Sequence, residues 1–100
     1  MTTLYTSGSW KVKEGREEEF ATAWRELAEW TLSEIPGAIW ATLLRDRDDP
    51  THFMSFGPWE SADAIEQWRA SDGFRERIGG IRELLESFEA VSAEAVVEVS

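Results

Sequence analysis

This sequence predicts an α+β domain: one four-stranded antiparallel sheet, helices on one face, and a second copy of the chain against the other. Two observations carry that expectation. Stretches with the two-residue period of a strand are separated by stretches with apolar residues at every third or fourth position, the spacing of a helix. Read in order, they run strand, helix, strand, strand, helix, strand, with the second helix split.

The first strand is expected over Leu4 to Lys13. Leu4, Thr6, Gly8, Trp10 and Val12 share one face, and Tyr5, Ser7, Ser9, Lys11 and Lys13 share the other. Gly15 and Arg16 lead into Glu17, Glu18 and Glu19, three carboxylates suited to the positive end of a helix dipole. Phe20, Ala23, Trp24, Leu27, Thr31 and Ile35 then form a buried stripe, with Trp30 widening it. Pro36-Gly37 ends that helix, since proline disfavours helical geometry in the residue before it.

Ala38 to Arg45 reads as a second strand, apolar on both faces, and Thr51 to Trp59 as a third. The polar turn between them makes the two a hairpin. Ser61 caps a short helix whose inward side is Ala64, Ile65 and Trp68, and Ser71-Asp72-Gly73 breaks it. A third helix is expected to carry Phe74, Ile78, Ile81, Leu85 and Phe88, and a last strand to run from Ala93 to Val99. Gly79-Gly80 inside that helix is either a close approach of another element or ligand, or simply a weak spot.

The order is the ferredoxin-like β-α-β-β-α-β. Helices cover only one face of such a sheet. The other face would carry Trp40, Leu44, Met54, Phe56 and Val96, and so large an apolar surface calls for a partner. Two sheets packed face to face make a dimeric barrel, so the chain is expected to be a homodimer.

One hundred residues are expected to form a single domain, residues 1–100. The net charge of −10 argues against nucleic acid or an anionic membrane as a partner. No apolar run approaches the roughly 20 residues needed to span a bilayer, and no leader pattern opens the chain, so a cytoplasmic location is the expectation. There is no cysteine and one histidine, His52, which excludes a Cys–His dyad. Beside a polar turn, His52 reads as structural or surface. No ligand-spaced cluster predicts a metal, and no glycine-rich phosphate loop predicts a nucleotide. No cofactor is expected.

What remains is a cavity. Gly8, Ser55, Gly57 and Trp59 fall on the helix side of the sheet, where small residues leave room. Trp59, Trp68, Trp24 and Phe74 are the candidate walls and Ser55 the candidate polar contact for a small hydrophobic or aromatic molecule. Trp59 and Trp68 are expected to bracket a planar ligand. The alternative is that these rings fill the space completely.

The stretch Phe56-Gly57-Pro58-Trp59-Glu60-Ser61, followed by Ala64-Ile65 and Trp68-Arg69-Ala70-Ser71-Asp72-Gly73-Phe74, resembles the strand-to-helix signature of the antibiotic biosynthesis monooxygenase family. The resemblance extends from about Leu4 to Val99. It implies a dimeric α+β barrel and a cofactor-independent monooxygenase, in which the carbanion of an aromatic or polyketide-like substrate itself reduces O₂. The anthrone-oxidising branch places an Asn, a Trp, a Tyr and an Arg around its substrate. Here Trp59 matches the Trp, Ser55 stands at the Asn position and Ile65 at the Tyr position, and the Arg counterpart is Arg77 or Arg82. The haem-degrading branch uses a Trp matched by Trp68, but its Asn falls near Gly8 and its iron-binding His on Ile78. That places haem degradation behind the other readings. The reading from a different class is a non-catalytic dimer that binds a small hydrophobic ligand.

Overall fold

The computed structural model describes residues 2–100. Its elements are β1 (Leu4–Val12), α1 (Glu17–Glu34), β2 (Thr42–Arg45), β3 (His52–Trp59), α2 (Ala62–Ala70), α3 (Asp72–Arg82) and β4 (Leu85–Glu94). The four strands form one antiparallel sheet in the order β2-β3-β1-β4. This is the expected ferredoxin-like architecture with its second helix split.

The register fixes the faces. Gly8 opposes Ser55 and Trp10 opposes Phe53 on the helix side, whereas Ser7 opposes Phe56 and Ser9 opposes Met54 on the open side. Because side chains alternate, this one register assigns every residue of β1 and β3.

Ser71 joins the two short helices. Its Oγ donates to Trp68 O at 2.7 Å, closing α2, and accepts from Phe74 N at 3.2 Å, opening α3. Ser61 caps α2 by accepting from Ala64 N at 3.2 Å.

Two expectations are corrected. The last strand is Leu85–Glu94, not Ala93 to Val99, so Leu85 and Phe88 belong to β4 and the third helix stops at Arg82. Leu85 and Phe88 continue the helical spacing of Ile78 and Ile81, and that spacing misled the sequence reading. The deciding force is non-local: β1 has a second edge, and β4 pairs with it from Leu4↔Glu94 to Val12↔Leu85. Val96 lies beyond the sheet at 83% exposure, and the large apolar β4 side chain on the open face is Val91. The second strand is also shorter than expected. Ala38 bridges Trp59, but the chain then bulges and pairs again only from Thr42. At the bulge Trp40 O lies 2.4 Å from where a Cβ on Gly57 would sit, so no side chain is tolerated there.

The core has two parts. The larger holds Trp10, Val12, Phe20, Leu27, Phe53, Ile78, Ile81, Leu84 and Leu85; the smaller holds Trp59, Ala64 and Ile65.

Candidate functional site: a tryptophan-walled cavity on the helix side of the sheet

A cavity of about 280 Å³ draws its lining from both parts of the core. Small residues create it. On the helix face of β1 and β3, Thr6, Gly8, Ser55 and Gly57 stand where larger side chains would have merged the two clusters.

Gly8 has a second effect. A Cβ there would lie 2.8 Å from Trp10 Nε1 and 3.0 Å from Ser55 Oγ. The empty position lets the Trp10 indole lean across the floor and donate to Ser55 Oγ at 2.9 Å. The same pairing recurs twice. Trp59 Nε1 donates to Thr6 Oγ1 at 2.9 Å, and Trp68 Nε1 donates to Thr31 Oγ1 at 2.8 Å. Thr31 in turn donates to Leu27 O at 2.7 Å. Three indoles around an apolar cavity are thus oriented by three hydroxyls, which satisfies polar groups that burial would otherwise penalise.

All five residues singled out from the sequence line this space: Trp24 from α1, Ser55 and Trp59 from β3, Trp68 from α2 and Phe74 from α3. The expected bracket is corrected. The Trp59 and Trp68 ring centroids are 5.0 Å apart, and Trp68 and Phe74 are 4.5 Å apart. No planar molecule passes between rings that already touch, so the three form one continuous wall.

The sequence reading missed the hydroxyl partners Thr6 and Thr31, although both sit on inward faces it identified. It also misses Phe88 and Ala90, because helical spacing carries Phe88 into the third helix and Ala90 falls before the expected last strand. Of the two candidate arginines, Arg82 lines the cavity. Arg77 instead lies over the Trp30 ring, 4.4 Å from its centroid, and donates to Gly73 O. A further lining arginine, Arg69, donates to Ser92 Oγ at 3.0 Å.

Among the described residues no carboxylate and no imidazole lines the cavity. His52 is on the open face, with Nδ1 3.0 Å from Asp46 Oδ2 and Nε2 2.9 Å from Ser9 Oγ. That order resembles a hydrolytic triad, but Ser9 is mid-strand, with its backbone inside the sheet ladders and no oxyanion-binding loop beside it. Asp46 also accepts from the Asp48 and Asp49 amides, and the His52 contact, followed by these, holds its carboxyl below the usual range. The trio ties the β2–β3 turn to β1. Among the described residues no group of three or more His, Cys, Asp or Glu side chains is placed to hold a metal. No described helix is long and apolar enough to cross a membrane.

A family model described as antibiotic biosynthesis monooxygenase matches residues 4–78. The chain belongs to that family. As a family domain it is also similar in fold to solved structures. A variant of SnoaB, a cofactor-independent oxygenase from Streptomyces nogalater, superposes with a TM-score of 0.89 at 24% identity, covering 97% of this chain and 96% of that one. A conserved protein from Methanosarcina mazei Go1 gives 0.84 at 22% identity, covering 93% and 92%. A structure described as an antibiotic biosynthesis monooxygenase gives 0.80 at 22% identity, covering 94% and 99%. No curated protein sequence matches. Identities this low carry the fold alone.

Proposed function

We propose that this antibiotic biosynthesis monooxygenase-family domain oxygenates a small planar aromatic or polyketide-like substrate without a cofactor. The observation that carries the reading is the cavity itself, a largely apolar space of about 280 Å³ walled by Trp59, Trp68, Phe74 and Trp24. That volume lies at the lower edge of the roughly 300–1,000 Å³ of small-molecule sites and favours a compact ring system.

In such a reaction an activated methylene loses a proton, and the resulting carbanion reduces O₂. The methylene becomes a carbonyl holding one oxygen atom, and the other leaves as water. The four electrons lost by carbon are those gained by O₂. The protein contributes position and electrostatics. Ser55 and Thr6 each accept from an indole, which leaves each hydroxyl proton available to a substrate oxygen. With no carboxylate or imidazole in the lining, the carbon proton passes to water.

The lack of a base in the lining also favours a second reading, a non-catalytic domain that binds the same kind of molecule. Oxygen uptake measured against anthrones, quinols and flavonoid-like phenols separates the two. Oxygenation predicts consumption with equimolar product. Ligand binding without oxygen uptake across the panel would favour the second reading.

The active form is proposed to be a homodimer. Tyr5, Trp40 and Phe56 form a contiguous aromatic run on the open sheet face, with centroids 6.3 and 5.7 Å apart, and Leu44 and Val91 remain 45% and 54% exposed beside it. Apolar surface of this kind calls for a cover, and a second copy supplies a face of identical chemistry.

A further inference from the structure

We infer that the cavity takes its aromatic ligand as an anion, admitted over Ala90 between Arg69 and Arg82. This rests on the proposed binding of a planar aromatic and specifies its charge and its route.

Among the described residues, the ionisable ones in the lining are Arg69 and Arg82, in a chain whose net charge is −10. Neither is ion-paired to a carboxylate among the described residues. Both rest on the edge strand β4. The Arg82 guanidinium lies 5.4 Å from the Phe88 ring centroid, and the Arg69 guanidinium is held by Ser92. Phe88, Ala90 and Ser92 are alternate residues on the helix face of β4. Four residues of strand span roughly 13 Å, enough for a fused-ring molecule to pass edge-on. The residue at the centre of that span is alanine, which is exposed and lines the cavity.

The charge at the mouth is of one sign. Guanidiniums donate and cannot accept, and the Ser55 and Thr6 hydroxyls deeper in, each accepting from an indole, keep a proton to give. A cation meets like charge and no carboxylate in the lining. A neutral amide gains nothing from the two charges. A carboxylate or phenolate finds two unpaired guanidiniums at the mouth while its rings lie along the Trp59–Trp68–Phe74 wall. A net charge of −10 disfavours the approach of an anion to the protein as a whole, so two cationic groups without a carboxylate partner favour this point of entry.

The test is calorimetric titration with 2-naphthoate and 2-naphthamide, which share one ring system and differ in charge. At low salt 2-naphthoate should bind about tenfold more tightly, with the advantage shrinking as salt is added. Arg69→Gln and Arg82→Gln together should erase the difference between the two probes. Arg69→Lys with Arg82→Lys should retain much of it. Arg75→Gln removes a positive charge from α3 outside the cavity and should have no effect. Equal binding of the two probes, or a preference that survives the double Gln variant, would overturn this inference alone. Binding of neither would overturn both it and the reading on which it rests.

Discussion

Trp59 and Trp68 are in direct contact, ring centroids 5.0 Å apart and planes tilted by 43°. The contact ties the end of β3 to the end of α2, and each indole is anchored again through its N–H, Trp59 to β1 and Trp68 to α1. Four elements therefore meet at one wall, whose free surface is the side facing the cavity. Phe at either position keeps an aromatic surface but frees a hydroxyl. Each single change should cost about 0.5–1.5 kcal/mol in denaturant melts and weaken 2-naphthoate binding, with the fold retained by circular dichroism. Unchanged binding in both variants would mean that the wall does not contact the ligand.

Ser55 carries a structural duty that its position in the cavity conceals. It accepts the Trp10 N–H, and both side chains are buried. Ser55→Ala should lose about 1–3 kcal/mol, because it strands a buried donor. In a Trp10→Phe background the same change should cost much less, since the donor is already gone. A double-mutant cycle reads this directly, and purely additive costs would show that the hydrogen bond is not the cause.

Three glycines on α3 should respond in opposite directions. A Cβ on Gly73 would lie 2.1 Å from the Trp30 ring, whereas Gly79 and Gly80 face open space. Gly73→Ala should destabilise by about 1–3 kcal/mol through overpacking. Gly79→Ala and Gly80→Ala should each stabilise by about 0.5–1 kcal/mol, the ordinary gain in a helix. Thermal melts of the three variants check this. It also answers the question raised by the sequence: at Gly79-Gly80 nothing approaches.

The β2–β3 turn should set an acid limit. Lys11 Nζ contacts Asp49 Oδ2 at 2.7 Å and Thr51 Oγ1 at 2.6 Å. The Lys11 contact first, then the Thr51 hydroxyl and amide, hold the Asp49 carboxyl well below the usual range, and the Asp49 contact raises the Lys11 ammonium. A carboxyl lowered in the folded state stabilises above its unfolded value of about 3.9, and that contribution fades as pH falls below it. Asp49→Asn should therefore lower Tm at neutral pH, and the gap to wild type should narrow only below about pH 4. A gap that is constant down to strongly acidic pH would exclude the ion pair as its source.

Assembly is tested at Phe56, half-buried in the aromatic run of the open face. Phe56→Lys would place an unpaired charge at the proposed interface and should yield monomer or unfolded chain. Sedimentation of the wild type at micromolar concentration is the direct check, and a monodisperse monomer would rule out the homodimer.

The sequence alone determined the element order, the inward faces of β1, α1 and β3, and the five cavity residues. Each of these is written in a local period: Leu4, Thr6, Gly8 and Trp10 alternate, and Phe20, Leu27 and Thr31 recur at helical spacing. Only the tertiary structure decided the extent of β4, the bulge over Gly57, the contact between Trp59 and Trp68, and the hydroxyl that each indole reaches. These depend on pairing across distances that local pattern does not encode. Leu85 and Phe88 fit a helix by spacing and become strand because β1 has an edge to fill. Ser55 reads as a ligand contact until the absent side chain of Gly8 brings Trp10 onto it. Arg69 and Arg82 lie 13 residues apart in the chain and flank one mouth only because both come to rest on β4.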